Sequence, residues 1–411
     1  MPWVTADHPM TDELNSCVQC GLCLPVCPTF RLTGRETASP RGRLHAMSAV
    51  GQGLVDVDQT FADIIDFCLG CRACEPVCPG LVPFGRTLEG ARAELDAQLP
   101  GRSRKYRWML GSAVASRSLM RAGAGLLSLA QKTRLLTMAP ARFRRIADGL
   151  RTLAGRPRPI IGHSAGSGEL GVAGMLAGCI QDQWFRPVNH AAVTLLEMAG
   201  WRVEVPVGQT CCGALSAHGG KADEARKMAE RNVKTFNGYD IVVATAAGCS
   251  AHMAGYDHWS ANGTDVAHSV EDITVAVAGA IDAGFLPTSS TKRGPIAIQD
   301  SCHLKHAQRV TEGPRAILRA AGYTIVEIDP VGLCCGAAGL YTIQHPEAAE
   351  QLGNQKADQI RSTGLMRVGS ANPGCEMQLR SHLEDNYEIA HPIEWYLWAI
   401  RADEAGKAKD V

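Results

Sequence analysis

Cys17, Cys20, Cys23 and Cys27 stand as C-x2-C-x2-C-x3-C, and Pro28 follows the last of them. Cys68, Cys71, Cys74 and Cys78 repeat every interval, again with a proline, Pro79, behind. Thiolates at this spacing can hold cubane iron–sulfur clusters. A cubane takes four thiolates at the corners of a compact tetrahedron. Three closely spaced cysteines wrap one side, and the loop around them leaves no room for the fourth, which ligates the other cluster. Cys17, Cys20, Cys23 and Cys78 are therefore expected to hold one [4Fe-4S] cluster, and Cys68, Cys71, Cys74 and Cys27 a second. The crossing brings the two centres close together, as electron transfer requires. Structural zinc also uses CxxC pairs, but it gives no reason for the third CxxC step or the trailing Cys-Pro. Disulfide frameworks belong to small secreted domains.

The remaining eight of the sixteen cysteines form a second repeat. Cys179, Cys211-Cys212-Gly213 and Cys249 are followed by Cys302, Cys334-Cys335-Gly336 and Cys375. The first interval is 32 positions in both copies, and the last is 37 and 40. Two adjacent cysteines can face one centre only if the backbone turns sharply, which Gly213 and Gly336 permit. Each copy thus offers four thiolates. A metal centre, most simply a further iron–sulfur centre, is the preferred reading over reduced core cysteines or a vicinal disulfide. One shared centre and two separate ones both remain open. His218 and His303 lie near the cysteines and are read as packed or hydrogen-bonding side chains rather than ligands. His252 and Gln378 follow Cys249 and Cys375 by three positions.

The elements that must position these groups are legible around them. The 40 residues between the two N-terminal runs read as helical, notably 43–50 and 61–67, so the first domain is expected to be a helical ferredoxin domain over 1–98. Residues 203–205, 241–244, 296–298 and 324–328 read as short strands, and 222–236 and 346–360 as helices whose N-termini suit an anionic cluster. Strands alternating with helices imply parallel α/β units. The cysteines would then lie at the carboxyl ends of strands, where open parallel sheets place their sites. The expected fold is α+β and multidomain: the helical ferredoxin domain, a basic amphipathic helical segment over 99–158, and a pseudo-twofold pair of CCG repeats with short parallel sheets over 159–290 and 291–411.

The net charge of zero conceals an asymmetry. Residues 101–158 carry 14 Lys/Arg and one acid, Asp148, and the rest of the chain carries the opposite excess. Phe143, Ile146, Leu150 and Leu153 recur at helical spacing, with Arg144, Arg145 and Arg151 off that face. Trp108, Met109 and Leu110 sit among Arg104, Lys105 and Arg107. Such a segment can lie in a membrane interface or dock an acidic subunit. No recognised nucleic-acid module accompanies it, so nucleic acid is not expected as a partner. No secretory signal pattern is read at the N-terminus and no run is long enough to span a membrane. With metal-bound thiolates in a reducing compartment, a cytoplasmic location follows as the expectation. No nucleotide fingerprint of the GxGxxG or GxxxxGK[ST] kind is read either, so flavin and NAD are expected to bind elsewhere.

Taken with both N-terminal runs and both CCG copies, several further stretches carry a resemblance. They are Ser39-Pro40-Arg41-Gly42-Arg43, the run from Cys68 to Pro79, Ala246-Ala247-Gly248-Cys249, Asp300-Ser301-Cys302-His303-Leu304 and the run from Cys334 to Tyr341. Over nearly its whole length the chain resembles the iron–sulfur subunits of bacterial glycolate oxidase. The resemblance implies a complex with flavin-domain subunits, in which a flavin oxidises glycolate to glyoxylate. The iron–sulfur subunit would pass the electrons to a membrane quinone, at the inner face of the plasma membrane, and carry no catalytic residue of its own. Heterodisulfide reductase catalytic subunits and lactate-utilisation proteins share the CCG repeat, and independent redox catalysis of that kind is the alternative. Heterodisulfide reductases complete each motif with a CxxC; here His252 and Gln378 occupy those positions.

Overall fold

In a computed structural model of the chain, the structure describes residues 3–100, 116–133, 147–153, 155–339 and 341–407. Residues 3–100 form helices and, among the described residues, no strand. Three helices dominate: Pro40–Gly51, Gln59–Asp66 and Phe84–Gln98. The first begins where Ser39 Oγ accepts the Gly42 amide and Pro40 supplies the fixed φ of a first helical position. The second begins where Asp58 caps the Phe61 amide at 2.8 Å. Their apolar faces bring Leu44, Met47, Val50, Phe61, Ile65, Leu88 and Leu95 into one core that includes Cys68 and Cys74.

Arg43 is fully buried in this half. It donates to Ile64 O at 2.9 Å, Ala38 O at 2.8 Å and Thr29 Oγ1 at 3.1 Å. A buried guanidinium is tolerable only when its donors are satisfied. Here they tie the inserted helices to the turn that follows Cys27.

The rest of the protein is built twice. Strands β1 (Ser164–Ala165), β2 (Val172–Leu176), β3 (Arg202–Glu204), β4 (Ile241–Ala244) and β5 (Val270–Asp272) form a sheet in the order β1-β3-β2-β4-β5. Strands β6 (Gly294–Gln299), β7 (Tyr323–Glu327), β8 (Arg367–Ser370) and β9 (Glu388–Ala390) form a second, ordered β7-β6-β8-β9. Apart from antiparallel β1, every pairing is parallel. Both sheets therefore share one order, second-first-third-fourth, with the topological switch between the first and third strands. The α+β reading with paired α/β repeats holds.

The two copies pack reciprocally. Helix Arg186–Ala199 of the first contacts helix Pro392–Lys407 of the second, and Glu312–Ala320 of the second contacts Ile273–Asp282 of the first. Phe185, Leu195, Val277, Ile317, Ile393 and Tyr396 are buried in this shared core. The apolar stripes of four helices are thus covered by each other, which turns the carboxyl ends of both sheets toward one region.

Three expectations need correction. Gly166-Ser167-Gly168-Glu169-Leu170-Gly171 does have GxGxxG spacing. It runs from β1 into β2 rather than from a strand into a helix, so it lacks the helix N-terminus that would receive a pyrophosphate. Second, neither helix Ala222–Phe236 nor helix Pro346–Arg361 directly follows its CCG, the short helix Tyr341–Gln344 preceding the latter. Gly213, at φ +98°, instead caps the short helix Ala214–His218. Third, the helix expected through Leu150 and Leu153 ends early: only 147–149 are helical among the described residues there, and Leu153 lies outside. Trp108, Met109, Leu110, Phe143, Arg144, Arg145 and Ile146 lie outside the described residues.

Candidate iron–sulfur centres

The two N-terminal cysteine runs wind alike. In each, the residues on both sides of the second cysteine have positive φ: Gln19 (+55°) and Gly21 (+81°) around Cys20, Gly70 (+64°) and Arg72 (+61°) around Cys71. Gln19 and Arg72 are strained there, since a Cβ is disfavoured in the left-handed region. The loops bring the cysteines together across the two runs. Cys17, Cys20, Cys23 and Cys78, with Cys74, line one small cavity of about 30 Å³. Cys27, Cys68, Cys71 and Cys74 line a second of about 20 Å³. Cys20 is exposed, whereas Cys27, Cys68, Cys71 and Cys74 are buried. Burial, with the charge of Cys334 next, pushes the Cys71 thiol well up.

All eight CCG cysteines line a single larger cavity of about 470 Å³, and Cys68 reaches its wall. Cys179 follows β2, Cys211 and Cys212 follow β3, and Cys249 follows β4; Cys302, Cys334, Cys335 and Cys375 follow β6, β7 and β8 in the same way. Within the first copy, Cys211 Sγ is 3.5 Å from Cys179 Sγ, and Cys212 Sγ is 3.2 Å from Cys249 Sγ. In the second, Cys302, Cys334, Cys335 and Cys375 form a chain of thiol contacts. Cys249 and Cys375 sit in the first turns of helices Ala247–Met253 and Pro373–Arg380. The two turns touch, with the Gly248 amide donating to Asn372 Oδ1 at 3.3 Å.

These thiols are mutually constrained. Hydrogen bonds from Cys179 and Cys212 hold Cys211 well below the ordinary thiol range, and the same bonds push both donors well above it. Four contacting thiols in a low dielectric cannot all ionise unless something positive sits among them. Iron would supply that charge, and the donor set fits a cluster: four sulfurs per copy and no carboxylate among them. Among the described residues no group of three or more His, Cys, Asp or Glu closes tightly enough to hold a single ion. Arg92, His218 and Lys221 stand at the cavity wall. Burial pushes the Lys221 ammonium down to about 8, and it pairs with Asp96.

His252 and Gln378 lie behind the CCG glycines. A Cβ on Gly213 would meet His252 Nε2 at 3.2 Å, and one on Gly336 would meet Gln378 Nε2 at 3.4 Å. Burial lowers His252 to about 4. His218 Nδ1 hydrogen-bonds Glu89 at 2.8 Å, and His303 Nδ1 is 3.5 Å from the sulfur of Cys302.

Several residues that shape the centre carry no motif. Asn232 donates to Cys211 O at 3.0 Å and to Tyr256 Oη at 2.9 Å, and Tyr256 donates to Cys212 O at 2.7 Å. At the corresponding place in the second copy, buried Lys356 reaches Asp329 at 2.6 Å, and Asp329 accepts the Val331, Gly332 and Leu333 amides. Arg92 joins the two halves, donating to Cys68 O at 2.6 Å and His218 O at 2.8 Å.

Residues 13–82 match the 4Fe-4S dicluster domain, and residues 173–254 and 296–380 each match the cysteine-rich domain. The chain is 32% identical over 400 residues to the probable glycolate oxidase iron-sulfur subunit of Bacillus subtilis (strain 168), covering 90% of this chain and 89% of that one. It is 28% identical over 379 residues to the glycolate oxidase iron-sulfur subunit of Escherichia coli (strain K12), covering 90% of each. It is 27% identical over 385 residues to a fumarate reductase (CoM/CoB) subunit from Methanothermobacter marburgensis, covering 92% of this chain and 70% of that one. With its dicluster half, its doubled cysteine-rich half and this coverage, the chain belongs to the family of glycolate oxidase iron–sulfur subunits.

Proposed function

We propose that the protein is the electron-transfer subunit of a 2-hydroxy acid oxidase, glycolate being the substrate its relatives' names suggest. Flavin-domain partner subunits oxidise the substrate, and this chain carries the electrons onward to a membrane quinone. Cys17, Cys20, Cys23 and Cys78 would hold one cubane and Cys27, Cys68, Cys71 and Cys74 another. Cys179, Cys211, Cys212 and Cys249, with Cys302, Cys334, Cys335 and Cys375, would hold the iron–sulfur centre or centres of the CCG half. When bound, such clusters supply one-electron redox chemistry, with potentials set partly by burial and hydrogen bonding. The chain's own residues hold the thiols apart from solvent, set the distances between groups and bear the opposing charge.

The observation that carries this reading is continuity. Cys68 belongs to the second N-terminal group and also lines the cavity shared by both CCG copies. The positions of His252 and Gln378, packed against glycines, favour relay over a heterodisulfide-type site built on a fifth cysteine per copy.

Iron and acid-labile sulfide, counted with zinc in the anaerobically purified chain, test the first step. About eight irons would confine clusters to the ferredoxin half, about twelve or more would extend them into the CCG half, and zinc in place of iron would overturn the reading. In the complex, Cys20→Ser should stop electron delivery to quinone while flavin-dependent dye reduction survives.

A further inference from the structure

The segment 101–147 contains eleven Lys/Arg and no Asp or Glu. Within it the structure describes helix Arg117–Lys132, which starts where Ser116 caps the Leu119 amide. Leu119, Leu126 and Leu129 share one face of this helix, at spacings of seven and three. They are 45%, 71% and 58% exposed. Ala124, on another face, is fully buried, and the helix rests on the turn Gln181–Trp184. It is therefore held to the body of the protein by the face of Ala124, which half-buried Met120 and Leu127 share, while Leu119, Leu126 and Leu129 point outward. Arg121 is exposed beside them.

We infer that helix Arg117–Lys132 is an in-plane docking element for an anionic lipid surface. The occupant follows from charge. A leucine face flanked in sequence on both sides by cations, with no carboxylate among them, matches a layer that offers hydrocarbon below and anionic headgroups above. The first copy's Cys179 lies two residues before the turn on which the helix is seated, and Gln181 of that turn lines the thiol cavity. Docking through the leucines would turn the first CCG copy toward the membrane and leave Cys20, in the other half of the chain, free for a partner protein. This deepens the membrane-acceptor part of the proposed function and does not depend on the identity of the substrate.

The test is co-sedimentation of the iron-loaded chain with phosphatidylcholine vesicles, with and without phosphatidylglycerol. The wild-type chain should sediment with the anionic vesicles and lose most of that binding at high salt. The double variant Leu126→Glu/Leu129→Glu alters two exposed side chains and should bind about tenfold or more weakly, with unchanged iron content and visible spectrum. Equal binding to neutral vesicles, or undiminished binding by the variant, overturns the inference. So does a wild-type chain that ignores both vesicles while the variant loses its flavoprotein partner, since the face would then be a subunit contact. Electron transfer from the flavoprotein to a water-soluble quinone should survive in the variant. Failure of the wild-type complex to reduce that quinone, with its own vesicle binding intact, would strike the relay function and leave the docking face standing.

Discussion

Cys71 and Cys334 lie in one buried apolar cluster with Leu69, Tyr341, Ala349 and Leu352, although 263 positions separate them in sequence. A thiolate at either would raise the pKa of the other. The loop of the second N-terminal group is thereby placed against the second CCG motif, within one cluster of apolar side chains. If both are ligands, the route between the halves of the protein passes here.

Replacing Cys71 with Ser should remove the cluster held by the second N-terminal group while leaving the fold intact. The expected loss is about four irons per chain, read by metal and sulfide analysis. Retention of full iron content would place the cluster's ligands elsewhere.

Arg92 bonds the carbonyls of Cys68 and His218, which belong to different halves. Arg92→Met keeps much of the apolar stem and removes both charge-assisted bonds, each contributing about 1.5–3 kcal/mol. The variant should fold, and limited proteolysis should then cut between 98 and 160 faster than in the wild type. An unchanged rate would mean that the other links between the halves, Lys221 with Asp96 and His218 with Glu89 among them, hold the ferredoxin half without Arg92.

Gly336 at φ +89° leaves no room for a side chain: a Cβ would meet Ala349 O at 2.9 Å and Leu352 Cβ at 3.0 Å. At Gly213 the nearest atom would be His252 Nε2, at 3.2 Å. The backbone oxygen that a Cβ on Gly213 would meet, Ala225 O, is farther off, at 3.3 Å. Gly336→Ala should therefore destabilise the protein more than Gly213→Ala, and both by about 1 kcal/mol or more from φ alone. Urea unfolding of the two variants gives the comparison.

The cysteine pattern exposed the chemistry in advance because ligand spacing is local: each run constrains its own loop. The strands at 241–244 and 296–298 were legible as short apolar runs for the same reason. Asn232 was not. It occupies an apolar-face position of helix Ala222–Phe236, in step with Ala225, Met228 and Phe236. Its meaning lies in the carbonyl of Cys211, on another element. Arg92 and Arg151 were equally opaque, since Arg92 reaches His218 across 126 positions and the partners of Arg151 are more than 220 residues away. Arg151 was read as one of several cations off the apolar face of an amphipathic helix. The structure encloses it instead, because two carboxylates from the second CCG copy supply the charge that burial would otherwise forbid.

Those carboxylates are Glu376, adjacent to Cys375, and Glu394. Arg151 pairs with them at 2.6 and 2.7 Å, and their side chains are each 2% exposed. Burial opposes its charge, but the two carboxylates hold the guanidinium firmly protonated. Arg151→Ala takes the guanidinium from Glu394 and leaves Glu376 only its pair with Arg380 at 2.8 Å, in a low dielectric, and should cost about 3–5 kcal/mol. The double variant Arg151→Met/Glu376→Gln should recover part of that loss. Thermal unfolding checks both, and a near-neutral Arg151→Ala would show that water replaces the guanidinium.

His391 lies beside this network, just ahead of helix Pro392–Lys407, where its Nδ1 accepts the Ile393 amide. Accepting that bond requires the neutral ring, and the positive end of the helix also disfavours an imidazolium. Burial pushes its pKa from 6.5 down to about 3. The unfolded chain therefore binds a proton below pH 6.5 that the folded chain refuses until about pH 3. Stability from this group is intact above that window and is lost as pH falls through it, by about 1.4 kcal/mol per pH unit. Asn offers an oxygen where Nδ1 now accepts and is a favoured helix cap. His391→Asn should thus leave stability at neutral pH nearly unchanged and make the decline toward acid shallower by about one proton's worth. Urea midpoints measured across the window decide it: an unaltered slope would mean that other buried groups account for the acid sensitivity.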